Sequence, residues 1–165
     1  MNSNIYEPDF DVTRDDGGFR FRRAFIGKQA GGQKLGGSLF EILPGDSPFP
    51  FHFHHANEEL AIVVRGRPHL RRIDGWTQLD EGEVVAFPVG EGGAHQFMNR
   101  TDEPVRILIV SEMNAPEIVV FPDSGKVSSK EQAPGPGSAG LWHVGRLEDG
   151  VDYLQGETPP DADAT

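Results

Sequence analysis

The run His52-Phe53-His54-His55-Ala56-Asn57-Glu58-Glu59, together with the distant His95, holds the side chains best suited to chemistry in this chain. Successive side chains of a β-strand point to opposite faces. A strand through this run therefore puts His52 and His54 on one face, roughly 6 to 7 Å apart along the chain. Two imidazoles at that spacing can reach a single metal ion, while Phe53 and His55 point the other way. Asn57 ends a short turn, and Glu59 opens an apolar run (Leu60, Ala61, Ile62, Val63, Val64) that reads as the return strand. A hairpin of this kind carries the Glu59 carboxylate back beside the two histidines, and His95 supplies a third imidazole from another strand. Imidazole nitrogen and carboxylate oxygen, with no cysteine in the chain, suit one divalent transition metal ion: Fe, Mn, Ni, Co or Zn. A lone histidine on a strand is more often a surface or core residue, so it is the combination that carries the reading. If the turn is distorted, Glu58 takes the place of Glu59. His69 and His143 are read as non-ligands.

At this point the residues resemble the two-part signature of the cupin superfamily. Its first part appears as Gly45, His52, His54, Glu59 and Gly66, with four residues between His54 and Glu59 and six between Glu59 and Gly66. That last spacing selects Glu59 over Glu58. The second part appears as Gly82, Pro88, Gly90, His95 and Asn99. Gly45 lies one residue further from His52 than the pattern asks, and the Gly90-to-His95 gap is two residues longer; both departures fall in loops. The resemblance is tight over 45–99 and extends as a fold over 19–121. It implies a jelly-roll barrel (a double-stranded β-helix) and the ligand set His52, His54, Glu59 and His95. A site of three His and one Glu leaves positions of an octahedral ion open to water or substrate, which separates a catalytic metal site from a closed structural one.

The elements that must position these side chains are legible independently. The chain has 21 glycines and 13 prolines, which punctuate short β-prone runs. Such runs with regular turn signals indicate an all-β sandwich or barrel. The expected strands are Phe19–Ile26, Gly37–Leu43, Phe51–His54, Glu59–Arg65, His69–Ile73, Thr77–Leu79, Val84–Phe87, His95–Asn99, Val105–Ser111 and Glu117–Phe121. Asp74-Gly75 marks a hairpin between the fifth and sixth, and no stretch keeps helical periodicity. Residues 1–18 form an N-terminal arm, 19–122 the barrel, and 123–165 an extension packing on the barrel. Within the extension, 124–140 reads as a linker rich in Ser, Gly and Pro. Leu141–Val144 and Val151–Leu154 read as short docking segments. Phe121–Val127 resembles a segment that follows the barrel in a group of bacterial cupins.

At 165 residues one domain with a real core is expected. The absence of cysteine excludes disulfides, Fe–S clusters and thiol catalysis. A net charge of −11 argues against nucleic-acid and anionic-membrane partners. No apolar run approaches membrane-spanning length, and a cytoplasmic location is the default. Arginines do bunch locally, at Arg20, Arg22 and Arg23 and again at Arg65, Arg67, Arg71 and Arg72. They either line a pocket for an anionic substrate or sit solvated at strand edges, the second being preferred.

Pocket lining is expected from Ala61 and Val63 beside Glu59, and from Phe97 and Asn99 beside His95; a cavity of that kind takes a small-molecule ligand. General acid–base roles fall to Glu58, Arg71 or His69, because the only tyrosines, Tyr6 and Tyr153, lie outside the barrel. The resemblance implies a metal-dependent enzyme on a small organic molecule, of dioxygenase, isomerase, epimerase or decarboxylase type. The alternative is a non-catalytic cupin that binds a sugar or small acid. A homodimer is expected, with Phe19–Ile26 released by the Gly31–Gly37 link to cross to the partner barrel.

Overall fold

Along Val105–Glu112 buried and more open residues alternate, with Val105, Ile107, Ile109 and Ser111 facing inward. That period-2 pattern makes the segment a central strand with one face on the core. The computed structural model describes residues 3–134 and 140–160. In chain order its strands are β1 (Val12–Asp16), β2 (Phe19–Ala24), β3 (Leu35–Ile42), β4 (Phe53–His54), β5 (Glu59–Arg65), β6 (His69–Arg72), β7 (Gly75–Gln78), β8 (Val84–Phe87), β9 (Gln96–Met98), β10 (Val105–Glu112), β11 (Glu117–Phe121), β12 (Lys126–Lys130) and β13 (Trp142–Arg146).

One sheet runs β1-β2-β3-β10-β5-β8, with β10 antiparallel to both β3 and β5. Opposite it lie β13-β12-β11-β4 and β7-β6-β9. An isolated antiparallel bridge between His52 and His95 joins these two smaller sheets. The fold is thus an all-β jelly roll, as the sequence implies.

Between the layers sits a core of Phe40, Ile42, Val63, Phe87, Phe97 and Ile107 with their neighbours. Each such side chain contributes about 1.5–3 kcal/mol on burial. Phe53, facing away from the flanking histidines, packs with Phe51 and Ala94 in a second cluster. Asn99, read as pocket lining, is instead buried scaffolding. Its amide donates to the Ile42 carbonyl (3.0 Å) and the Glu103 carbonyl (2.8 Å), tying down the turn before β10.

Several elements depart from expectation. Residues 12–16, assigned to the arm, form β1, hairpinned to β2 so that Asp16 opposes Phe19 across Gly17-Gly18. Every residue of β1 is exposed, so it shows no apolar alternation; the two-glycine loop was the available signal. Lys126–Lys130, read as linker, is β12, paired with β11 from Glu117↔Lys130 to Phe121↔Lys126. Its polar composition is overridden by an edge that offers backbone partners. Part of the expected linker, 135–139, lies outside the described residues. A single helical turn, α1 (Ile26–Gln29), replaces the end of the expected first strand.

β2 pairs with β3 of its own chain, with Arg22↔Glu41, Arg23↔Phe40 and Ala24↔Leu39 in register. The glycines expected to give slack permit close packing instead. A Cβ on Gly37 would come within 3.0 Å of the Gly27 nitrogen, and one on Gly27, outside that link, within 2.6 Å of the Gly37 nitrogen, so glycine at both lets α1 lie directly on β3.

Candidate metal and ligand site

His52 and His95 are held opposite each other by two backbone hydrogen bonds, His52 N to His95 O (3.2 Å) and His95 N to His52 O (2.9 Å). Their ring centroids lie 4.7 Å apart. Each ring is fixed from its far side: Nδ1 of His52 is 2.9 Å from the Pro50 carbonyl, and Nδ1 of His95 is 2.9 Å from the Gly93 carbonyl. A carbonyl only accepts, so in the neutral rings both Nδ1 atoms carry the proton and both Nε2 atoms present lone pairs. His95 is fully buried and stacks on Phe87, with centroids 3.9 Å apart and planes 13° apart.

His54 follows on β4, its ring centroid 5.0 Å from that of His52. Glu59 enters from the opposing sheet at the start of β5. Its Oε2 lies 3.5 Å from His54 Nε2 and 3.3 Å from His95 Nε2. Donor atoms of His52, His54 and Glu59 all fall within 4.8 Å of one another. The four residues singled out in the sequence therefore converge, His95 from behind. Glu58 and His55 are exposed. His69 lies on β6, three residues along the chain from Arg72, and His143 lies exposed on β13.

His95 Nε2 and both ring nitrogens of His54 are buried without a well-formed hydrogen bond. An imidazole lone pair facing a carboxylate oxygen at 3.3 Å is repulsive unless a cation or proton lies between them. Three imidazoles and one carboxylate form a donor set that fits a divalent ion of borderline softness.

The surrounding fields agree. Burial, then the neighbouring His95 and His54, push His52 down to about 3, which keeps it neutral. Burial alone would raise Glu59, but His95 beside it and the fields of the three histidines hold it at about 2. For His54 burial acts downward and is outweighed by Glu117 and Glu59, so its pKa is raised.

Glu117 is the residue that sequence reasoning missed. It is 2% exposed, and its Oε2 lies 3.3 Å from His54 Nδ1. Its Oε1 accepts from the Ala56 nitrogen (3.2 Å) and the Ile118 nitrogen (2.9 Å), and the Asn57 amide donates to Oε2. Asn57 is fixed in turn by Asn114, whose nitrogen donates to Asn57 Oδ1 at 2.7 Å. Burial pushes Glu117 up, but His54 and Asn57 win and its pKa is lowered. The signal was present: Glu117 opens an apolar strand as Glu59 does.

A cavity of about 560 Å³ opens over His52, His54 and Glu59. Its walls differ from those expected. Ala61, Val63 and Phe97 belong to the core. The lining comes instead from Arg23 on β2, Lys28 on α1, Phe40 on β3, Phe49 and the segment Gln132–Pro134. The C-terminal extension thus contributes to the site. The arginines do not sit on sheet edges, since β2, β5 and β6 all lie inside their sheets; most are instead held in ion pairs, Arg20 with Asp46, Arg67 with Asp80, and Arg71 with Asp123. Arg22 pairs with the buried Glu41. Arg23 is the exception, facing the cavity. Arg71, a candidate acid–base group, is held by Asp123 away from it.

Residues 38–111 match the cupin domain family. No curated protein sequence matches the chain. Among solved structures, the chain is similar to a protein from Acidithiobacillus ferrooxidans assigned as a sugar phosphate isomerase (TM-score 0.72, 23% identity, covering 82% of this chain and 81% of that one). It is similar to a cupin-superfamily sugar phosphate isomerase from Silicibacter pomeroyi (TM-score 0.70, 24% identity, 87% and 82%). A third is the polyketide cyclase of Streptomyces resistomycificus (TM-score 0.58, 22% identity, 71% and 82%). At these identities the likeness establishes a shared fold.

Proposed function

We propose that this cupin holds one divalent transition metal ion (Fe, Mn, Ni, Co or Zn) on His52, His54, Glu59 and His95, and acts on a small organic molecule in the adjoining cavity. The observation that carries this reading is the convergence of the buried Nε2 atoms of His54 and His95, neither with a well-formed hydrogen bond, on the ionised Glu59 carboxylate that lines the cavity. When bound, such an ion supplies Lewis acidity toward a carbonyl or hydroxyl oxygen. The chain's own residues do the rest. Glu59 stays ionised across the physiological range, and Glu117 orients His54. Phe25, Phe40 and Phe49 give the cavity dry walls. Ser38 and Ser111 offer hydroxyls to a polar ligand.

Of the reaction types open to such a site, isomerisation or epimerisation stands first, supported by the two similar structures described as sugar phosphate isomerases. Dioxygenase and decarboxylase chemistry follow, since the fold alone does not choose. One observation favours a second reading, a non-catalytic binder of a sugar or small acid: among the described residues no Tyr or Asp lines the cavity, so a proton shuttle is not evident. Deuterium exchange separates the two. Metal-loaded protein in heavy water, offered hydroxyaldehydes and hydroxyketones, is expected to incorporate deuterium beside the carbonyl. Binding by thermal shift with no exchange or turnover across the panel supports the binder.

A further inference from the structure

Arg23 differs from the other arginines of β2, Arg20 and Arg22, which are exposed. Arg20 and Arg22 each pair with a buried carboxylate. Arg23 makes no ion pair among the described residues. Its guanidinium sits over the rings of Phe25 (4.5 Å) and Phe40 (5.0 Å), and Nη2 donates to Ser38 Oγ at 2.7 Å. Nε is buried with no hydrogen-bond partner. The side chain lines the same cavity as His52, His54 and Glu59, and Lys28 stands on the same wall. Burial pushes the Arg23 pKa to about 10 while the Glu59 charge supports it, so the group remains a cation at neutral pH. Lys130 is lowered by burial and then by the charge of Arg23, which places a further positive charge within its field.

A buried guanidinium with an open donor edge and no carboxylate of its own is costly to keep unless something completes it. Phe25, Phe40 and Ser38 lock its plane, which pre-organises the fork for a two-oxygen partner. The chain is acidic overall, with a net charge of −11, so a cationic wall in this cavity runs against the general field. Resting on the reading of the cavity as a small-molecule site, we propose that Arg23 anchors an oxyanion of the ligand, a phosphate ester or a carboxylate, while the rest of the molecule reaches toward His52, His54 and Glu59. The substrate class is then a small organic acid or phosphate bearing an oxygen function at its other end. Lys28, which also lines the cavity, adds positive charge and aids capture.

The test separates this subsite from the metal reading by using chelator-treated protein. Inorganic phosphate and acetate are titrated calorimetrically into wild type, Arg23→Gln, Arg23→Lys and Arg100→Gln; Arg100 stacks on Trp76, away from the cavity. Wild type and Arg100→Gln are expected to bind at least one anion, with affinity falling as salt rises. Arg23→Gln should bind at least tenfold more weakly, and Arg23→Lys should lie between because it keeps charge but loses the fork. Preference for phosphate over acetate names the ester, and the reverse names the carboxylate. Metal uptake by Arg23→Gln should equal that of wild type. Should Arg23→Gln fail to fold, Arg23→Lys decides. Wild-type affinity in the folded Arg23 variants, or a wild type that binds neither anion, overturns the proposal without touching the metal reading.

Discussion

Glu117 does for His54 what the Gly93 carbonyl does for His95: each fixes the ring from the side away from Glu59. Imidazole ligands are aimed by such partners, and losing one typically costs 10–100-fold in metal affinity. Glu117→Gln keeps the shape and removes the charge. The expected outcome is a fall of about 10–100-fold in metal affinity with an unchanged circular dichroism spectrum. An affinity equal to wild type would reduce Glu117 to packing. The neighbouring carboxylates make a sharper pair. Glu59 lies among the histidines and Glu58 is exposed, so Glu59→Gln should lose metal while Glu58→Gln retains it, and the reverse result would exchange their assignments. Likewise His95→Ala should lose affinity sharply and His143→Ala should not. At this scale the sequence was generous, because strand alternation and spacing are properties of the chain itself. Glu117 was missed although it opens an apolar strand as Glu59 does, because its partner, His54, is remote in sequence and a strand start alone does not announce the contact.

Among elements, the short turn that delivers His95 is the least forgiving. A Cβ at Gly93 would overlap the Pro88 carbonyl, so Gly93→Ala must shift the turn whose own carbonyl holds His95 Nδ1. The expected cost is about 1–3 kcal/mol of stability, measured by urea unfolding, with weakened metal binding. Phe53→Asp should prevent folding outright, since it places a charge between Phe51 and Ala94 with no partner. The β2–β3–β10 seam makes a pH prediction. Glu41 is 4% exposed and accepts from Arg22 and Arg106. Burial raises its pKa, but the two arginines lower it below the ordinary 4.5. Its stabilisation is therefore present above 4.5 and lost as pH falls through the lower, folded value. Glu41→Gln should cost roughly 1.5–3 kcal/mol at pH 7 and flatten the loss of stability below 4.5; a variant as acid-sensitive as wild type would contradict this. Strands with apolar alternation, such as β5, β8 and β11, were legible to the residue. β1 and β12 were not, because their stability comes from a neighbour's free edge rather than from their own pattern. The true cavity wall was missed for the same reason: α1 and Gln132–Pro134 reach the site by tertiary packing.

For the molecule as a whole, no helix among the described residues is long and apolar enough to cross a membrane. The expected homodimer needs a different route from strand crossing, since β2 is already paired within its own chain. Trp142, Val144, Leu147 and Tyr153 are exposed along β13 and the segment after it, a more available apolar surface than β2. Light scattering at micromolar concentration should give twice the 18.1 kDa of one chain, and Trp142→Lys should shift it toward that value. A wild-type mass of one chain would refute the dimer. The proposed chemistry depends on the metal. Untagged protein, purified anaerobically and dialysed against each of Fe, Mn, Ni, Co and Zn, can be assayed for bound metal by elemental analysis. The expected result is one ion per chain, abolished in His52→Ala together with His54→Ala. Protein that carries no metal and takes up none of the five would contradict the account at its centre.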